Sequence, residues 1–271
     1  MSLPLAPTTA EKLLRLRARL AELPSALVAF SGGTDSAFLV AVAREALGER
    51  AVAVTADSES LPAVELEDAR RVAAAIGARH LVLPTREVGR PEYRANRGDR
   101  CYHCKTELFE VLGDLARREG FAAVLYGGNA DDLADFRPGH RAAEEHGALA
   151  PLAEVGFTKR EVREASRAMG LPTWDKPASA CLASRVPPGT PVTPELLARI
   201  EEGEDELRRL GFRQFRLRHH GEIARVELGE EEIERAAAPG VRERIVAAIE
   251  DRGWRFVTLD LAGYRSGSLN P

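Results

Sequence analysis

The chain has 271 residues, 44% of them hydrophobic and 30% charged, with 38 basic against 42 acidic side chains for a formal net charge of -4. That composition excludes overall disorder and a general nucleic-acid coat. Three cysteines exclude a disulfide framework, because pairing leaves one thiol over, and they favour a reducing compartment. The first residues lack a basic start followed by an apolar core, and no window reaches the roughly 18 apolar residues of a membrane span. The expectation is a cytoplasmic protein without a membrane partner.

Thr8 or Thr9 can cap a helix whose Leu13, Leu16, Leu20 and Leu23 recur at helical spacing. Residues 26–30 are a short apolar run, expected as a buried strand, followed by a turn at 31–36 and a helix over 37–47. A strand at 51–55, a helix over 62–76, a strand at 81–83, a loop over 87–100, a helix over 102–118 and a strand at 122–126 follow. This alternation is the sign of βαβ units and a parallel sheet. Residues 128–147 are polar, and Thr158 with Glu161 fits a capping box at the head of a helix over 158–169. Pro172, Pro177, Pro187, Pro188 and Pro191 then place a domain boundary near residue 187, dividing 1–186 from 187–271. Beyond it come a helix over 194–210, alternating strands at 212–218 and 223–228, helices over 230–238 and 241–250 broken at Pro239-Gly240, and a strand at 256–261. The expected fold class is α/β, a twisted parallel sheet with a smaller α+β carboxyl-terminal domain.

Ser31-Gly32-Gly33-Thr34-Asp35-Ser36 lies after a strand and before a helix. Glycines let the backbone approach an anion, the helix start offers unpaired N–H groups, and Ser31 and Ser36 add hydroxyls. No lysine follows as in G-x-x-x-x-G-K-[ST], and the glycines do not fit G-x-G-x-x-G. The segment resembles the pyrophosphate loop of the PP-loop ATP pyrophosphatases, which split ATP to AMP and pyrophosphate while adenylating a substrate. Thr55-Ala56-Asp57-Ser58, ending the second strand, and Gly127-Gly128-Asn129-Ala130-Asp131-Asp132, ending the fourth, fit the same resemblance. Ligands of open α/β sheets gather at these carboxyl ends. The resemblance implies ATP contacts from residues 31–36, Asp57, Ser58 and Gly128, a part for Asp35 in the chemistry, and Mg²⁺ ligation by Asp35, Asp131 and Asp132. A solvated acidic loop is the other reading of Asp131 and Asp132.

Cys101 and Cys104 form a C-x-x-C pair, whose spacing puts two sulfurs on one face of a helix and suits half a zinc site, a redox pair or a cluster. Cys181 has Lys176 and Arg185 nearby, cations that favour a thiolate, although a buried inert cysteine fits the spacing equally well. The run Lys-Pro-Ala-Ser-Ala-Cys-Leu-Ala-Ser-Arg at 176–185, with Cys-Tyr-His-Cys-Lys-Thr-Glu-Leu-Phe at 101–109, Asp-Phe-Arg-Pro-Gly at 135–139 and Gly-Tyr-Arg-Ser-Gly-Ser at 263–268, resembles the ATP-dependent sacrificial sulfur transferases, the LarE family.

That resemblance covers nearly the whole chain. It implies adenylation of the carboxylates of pyridinium-3,5-biscarboxylic acid mononucleotide and their conversion to thiocarboxylates for a nickel-pincer cofactor. Members with a single site cysteine give up its sulfur and keep dehydroalanine. Members with three cysteines hold a [4Fe–4S] cluster with one iron left open. Because Cys101, Cys104 and Cys181 are all present, the cluster is the expected form, with sacrifice of Cys181 or zinc on the same thiols as alternatives. Phe215-Arg216-Leu217-Arg218 puts two arginines on one strand face, and guanidinium forks suit phosphate and carboxylate. The resemblance implies that Arg185, Arg216, Arg218 and Arg265 face the mononucleotide, against a solvated strand face with ordinary ion pairs. The resemblance implies other pincer-cofactor biosynthesis proteins as partners, and further copies of the chain in a homo-oligomer, a hexamer being among the family's forms, with no nucleic acid. Competing functions are tRNA thiolation by a PP-loop enzyme, amidation of the kind NAD and GMP synthetases perform, and nucleotide binding without turnover.

Overall fold

The computed structural model describes residues 5–133, 138–177 and 179–265. In chain order the elements are α1 (Pro7–Ala21), β1 (Ala26–Ala29), α2 (Thr34–Leu47), β2 (Ala51–Asp57), α3 (Ala63–Ile76), β3 (Arg79–Pro84), α4 (Pro91–Ala95), α5 (Arg100–Glu119), β4 (Ala123–Leu125), α6 (Ala130–Leu133), α7 (Pro138–Glu145), α8 (Pro151–Glu154) and α9 (Lys159–Ala168). They continue as α10 (Pro194–Arg209), β5 (Phe215–His220), β6 (Ile223–Leu228), α11 (Glu230–Ala237), α12 (Val241–Glu250) and β7 (Phe256–Leu259). The chain divides into two compact units, Met1–Glu87 with Asp99–Ser179, and Val88–Gly98 with Ala180–Pro271. The division falls a few residues before the one expected near 187, and the second unit also takes an eleven-residue segment from the middle of the chain.

The first unit is built on a parallel sheet in the order β3-β2-β1-β4. β1 is buried at every position, as a central parallel strand covered on both faces must be. Its alternate side chains serve two cores. Ala26 and Val28 join Leu13, Leu16 and Leu20 of α1, Phe38 of α2, Val72 of α3 and Val162 of α9 on one face. Leu27 and Ala29 join Phe109, Leu112 and Leu115 of α5 on the other. The expected α/β class with a parallel sheet and a smaller second sheet is what the structure has.

Several local expectations change. Neither Thr8 nor Thr9 caps α1. Pro7 opens that helix instead, where its missing N–H costs nothing, and the Thr9 hydroxyl donates to Glu164. Pro62 sits one residue before α3 rather than inside it. The stretch expected as loop over 87–100 contains α4, and the polar region after Gly127 contains α6 and α7. The capping box is present in full: Glu161 N–H donates to Thr158 Oγ1, and Thr158 N–H donates back to Glu161 Oε2.

The second unit carries a three-stranded sheet, β5-β6-β7. β5 and β6 are antiparallel, with Arg216 opposite Glu227 and Arg218 opposite Arg225, whereas β6 and β7 are parallel and are joined through α11 and α12. β5 begins three residues later than expected and runs through His219 and His220. Trp254, Leu217, Leu207 and Ile249 are buried here. Among the described residues no helix is long and apolar enough to cross a membrane.

Candidate active site

β1 delivers the chain into a loop that α2 closes. Gly32 has φ +69°, and a Cβ there would lie 2.8 Å from Ala69 Cα on α3, so a positive dihedral and a close approach both require glycine. Ser36 Oγ accepts the Ser31 N–H (3.2 Å), stands 3.2 Å from Ser31 Oγ and donates to Gly33 O (3.1 Å). The loop is thus tied by its own hydroxyls, with the start of α2 at its mouth, the arrangement that receives an anion. Thr34 instead turns inward and donates to Thr173 O at 2.8 Å. Gly127, just after β4, brings its backbone so near that a Cβ would meet Ser36 N at 3.0 Å. The two glycine segments expected to act together therefore lie side by side. Gly128 is equally confined, between Tyr126 and His140.

Asp35 stands in the first turn of α2. Burial pushes its pKa above the ordinary carboxylate value, against the lowering effect of the ammonium of Lys159, with which it is paired. Its Oδ1 is buried without a hydrogen-bond partner. An underused, partly neutralised carboxylate oxygen at an anion loop is the donor a divalent cation would take. Asp131 and Asp132 also organise the loops: Asp131 Oδ2 accepts the Lys159 N–H (2.8 Å) and Asp132 Oδ2 accepts the Asn129 N–H (3.1 Å). Lys159 escaped the sequence reasoning. Its only signal is its place immediately after the Thr158 cap.

At the carboxyl end of β2, Asp57 is exposed and Ser58 is half-buried. The hydroxyls of Ser58 and Ser60 both donate to Glu87, a buried carboxylate that no spacing argument singles out. Cys101 and Cys104 lie in the first turns of α5, the first exposed and the second half-buried. Among the described residues no three His, Cys, Asp or Glu side chains form a metal-binding group. Residues 135–137 and 266–268, which carry two of the resemblances, lie outside the described residues, as does Ala178.

In the second unit Cys181, half-buried, precedes a 3₁₀ turn at Leu182–Arg185. Arg185 and Arg218 are buried and ion-paired to Glu204 and Glu227, respectively. Their guanidinium groups also reach the main chain around Cys181: Arg185 Nη1 donates to Cys181 O at 2.9 Å, and Arg218 Nη1 to Ser184 O at 2.9 Å. Arg216 is different. It donates to Phe215 O (2.8 Å) and to Tyr264 Oη (3.4 Å), and burial lowers its pKa, as do the like charges of Arg185 and Arg218. Arg265 is exposed next to Tyr264. The four arginines expected to share one role therefore divide into two that brace the protein and two that do not.

Residues 16–224 match the family described as asparagine synthase. The chain is 47% identical to an uncharacterized protein of Synechocystis, slr1717, over 96% of this chain and 97% of the relative. It is 37% identical to the pyridinium-3,5-bisthiocarboxylic acid mononucleotide synthase of Lactiplantibacillus plantarum, over 97% of this chain and 95% of that one. Identity to an uncharacterized protein of Methanocaldococcus jannaschii, MJ0830, is 27% over 94% and 98% of the two chains.

Proposed function

We propose the following for a chain that belongs to the LarE family of PP-loop sulfur transferases: it adenylates the carboxylates of pyridinium-3,5-biscarboxylic acid mononucleotide and converts them to thiocarboxylates. It is an ATP-dependent sulfur-transfer enzyme. The observation that carries the finer reading is the doubled arrangement, a tied anion loop at β1 and β4 in one unit and a cysteine turn beside buried arginines in the other.

A carboxylate oxygen of the substrate attacks the α-phosphorus of ATP, and pyrophosphate departs into the loop of residues 31–36. Asp35 would hold Mg²⁺, which would supply positive charge to the phosphates, and Lys159, paired with Asp35, would balance charge on the leaving pyrophosphate. The acyl-adenylate then presents a carbon with AMP as leaving group, where a free carboxylate would have to expel oxide. A sulfur nucleophile at or near Cys181 adds to it and AMP leaves; where that sulfur is the cysteine's own, release of the thiocarboxylate breaks its Cβ–Sγ bond with loss of the Cα proton. Arg216, together with Arg265, which follows its partner Tyr264 in sequence, would take the phosphate or second carboxylate of the mononucleotide.

Cys101, Cys104 and Cys181 would be the thiolates that hold a [4Fe–4S] cluster, which would supply the sulfide for transfer. Cys101 and Cys104, one helical turn apart on α5, supply the C-x-x-C half of that donor set, although no three such side chains form a metal-binding group among the described residues. Sacrifice of the Cys181 sulfur is the second reading, favoured by the exposed position of Cys101. Incubation with ATP, Mg²⁺ and the biscarboxylic mononucleotide, followed by mass measurement of both small molecule and protein, tests all of this. Thiocarboxylate with intact Cys181 and about four iron per chain supports the cluster. Dehydroalanine at residue 181 supports sacrifice, and thiolation by Cys181→Ala refutes both.

A further inference from the structure

We propose that Arg185 and Arg218, each held by its own buried glutamate, form a main-chain clamp that positions Cys181. The proposal rests on the reading of Cys181 as the sulfur-transfer residue, and it gives these arginines a task other than substrate binding.

The side chains of Arg185 and Glu204 are 4% and 5% exposed, and those of Arg218 and Glu227 are 6% and 0%. Charges so far from water persist only when every donor and acceptor is used. Arg185 Nε and Nη2 donate to the two oxygens of Glu204, both at 2.9 Å. Nη1 remains, and it faces Ala180 O at 2.6 Å, Cys181 O at 2.9 Å and Ser184 Oγ at 3.1 Å. Arg218 is held by one oxygen of Glu227, whose other oxygen accepts from Arg225 Nη2 at 2.9 Å. Arg218 Nε and Nη2 go to Glu227 Oε2 at 3.0 and 2.8 Å, and its Nη1 goes to Ser184 O at 2.9 Å.

Carbonyls in a short turn have no strand ladder: Cys181 O accepts the Ser184 N–H at 2.9 Å and takes Arg185 Nη1 on its second lone pair. Only a guanidinium grips a carboxylate with two nitrogens and keeps a third for the main chain, which makes lysine a poor replacement. Glu204 Oε1 also accepts the Leu217 N–H at 3.0 Å. One buried carboxylate therefore ties α10, the strand bearing Arg216 and the turn bearing Cys181. The clamp grips main-chain atoms and one serine hydroxyl, so it holds the turn unchanged when the sulfur of residue 181 is ligated or lost.

The test uses full-length Arg185→Lys, with Glu204→Gln as a second variant that keeps one of the two acceptor oxygens and turns an amide NH2 toward the guanidinium. Pyrophosphate release and thiocarboxylate formation are measured separately over a range of mononucleotide concentrations. Misplacing a reacting group by about 1 Å costs about 10²-fold. The expected result is thiocarboxylate formation down by about 10²-fold in Arg185→Lys, with pyrophosphate release and its KM for the mononucleotide near wild type. A raised KM, or both products falling together, overturns the clamp in favour of substrate binding by Arg185. Alkylation of Cys181 by iodoacetamide, followed by mass spectrometry, reads the turn without turnover: the clamp requires a changed rate in either variant, and an unchanged rate in both refutes it. Thiolation surviving in Cys181→Ala would refute the function proposed above, while the alkylation result would still decide the clamp.

Discussion

Replacing Gly32 by alanine separates what the pyrophosphate loop demands of the backbone from what it demands of space. The left-handed conformation costs a residue with a Cβ about 1–2 kcal/mol. The new methyl would stand 2.8 Å from Ala69 Cα, a main-chain atom of α3 that cannot rotate away. Overpacking of that kind costs about 1–3 kcal/mol more, so the two effects add to about 2–5 kcal/mol. Gly120 supplies the control: its φ is +75° but nothing lies within 4 Å of its Cβ position, so Gly120→Ala bears the backbone cost alone. Urea unfolding of both variants, with substrate-dependent exchange of labelled pyrophosphate into ATP, measures the difference. Gly32→Ala is expected to be the less stable variant by about 1–3 kcal/mol, with exchange lost, while Gly120→Ala exchanges as wild type. Equal destabilisation together with retained exchange would refute the reasoning that α3 fixes the loop.

Three further outcomes are expected. Thr158→Ala removes the reciprocal cap of α9 and should cost about 1 kcal/mol, read as a lower melting temperature. Lys159→Met removes the cation beside Asp35 and the loop; pyrophosphate release should fall by about 10²-fold while thermal stability changes little, the pair being partly exposed. His80, His219 and His220 all have pKa values lowered from 6.5, chiefly by burial. The folded state therefore binds fewer protons than the unfolded chain. The stability this confers is complete above pH 6.5 and is lost as pH falls through that value toward the folded pKa values. Protonating His219 at Nδ1 also breaks the bond it accepts from Trp254 Nε1. A melting temperature that does not fall on acidification from pH 7 toward pH 5, or that falls equally in His219→Gln, would contradict this assignment.

The sheet was legible because its strands are short unbroken apolar runs, and the loop because its residue types serve an anion wherever a strand meets a helix. α4, α6 and α8 are only four or five residues long, too short to hold together without tertiary contacts, so no periodicity marks them. Strand alternation correctly puts Arg216 and Arg218 on one face of β5. It does not reveal that Glu227 on the neighbouring strand takes Arg218 inward, nor that Glu204 on α10 does the same for Arg185. These pairings join different elements across 9 and 19 residues, at separations with no helical or strand period to mark them. Glu87 and Lys159 were missed for the same reason. The serines that Glu87 binds are 27 and 29 residues away, and Asp35 is 124 from Lys159.

The segment Val88–Gly98 gives the chain an unusual course. It leaves the first unit after Glu87, returns at Asp99 just before Cys101, and leaves again after Ser179. The segment is stitched to residues nearly a hundred positions later: Asn96 Nδ2 donates to the carbonyls of Val186, Pro187 and Thr190, and Gly189 and Val192 donate N–H groups to Asn96 O and Arg94 O. No single cut therefore releases the carboxyl-terminal unit intact. A fragment beginning at Ala180 would lack the inserted strip and bare the carbonyls that Asn96 covers. On the ribosome that strip must wait for the last third of the chain before it finds its partners, so the second unit closes only when synthesis nears its end.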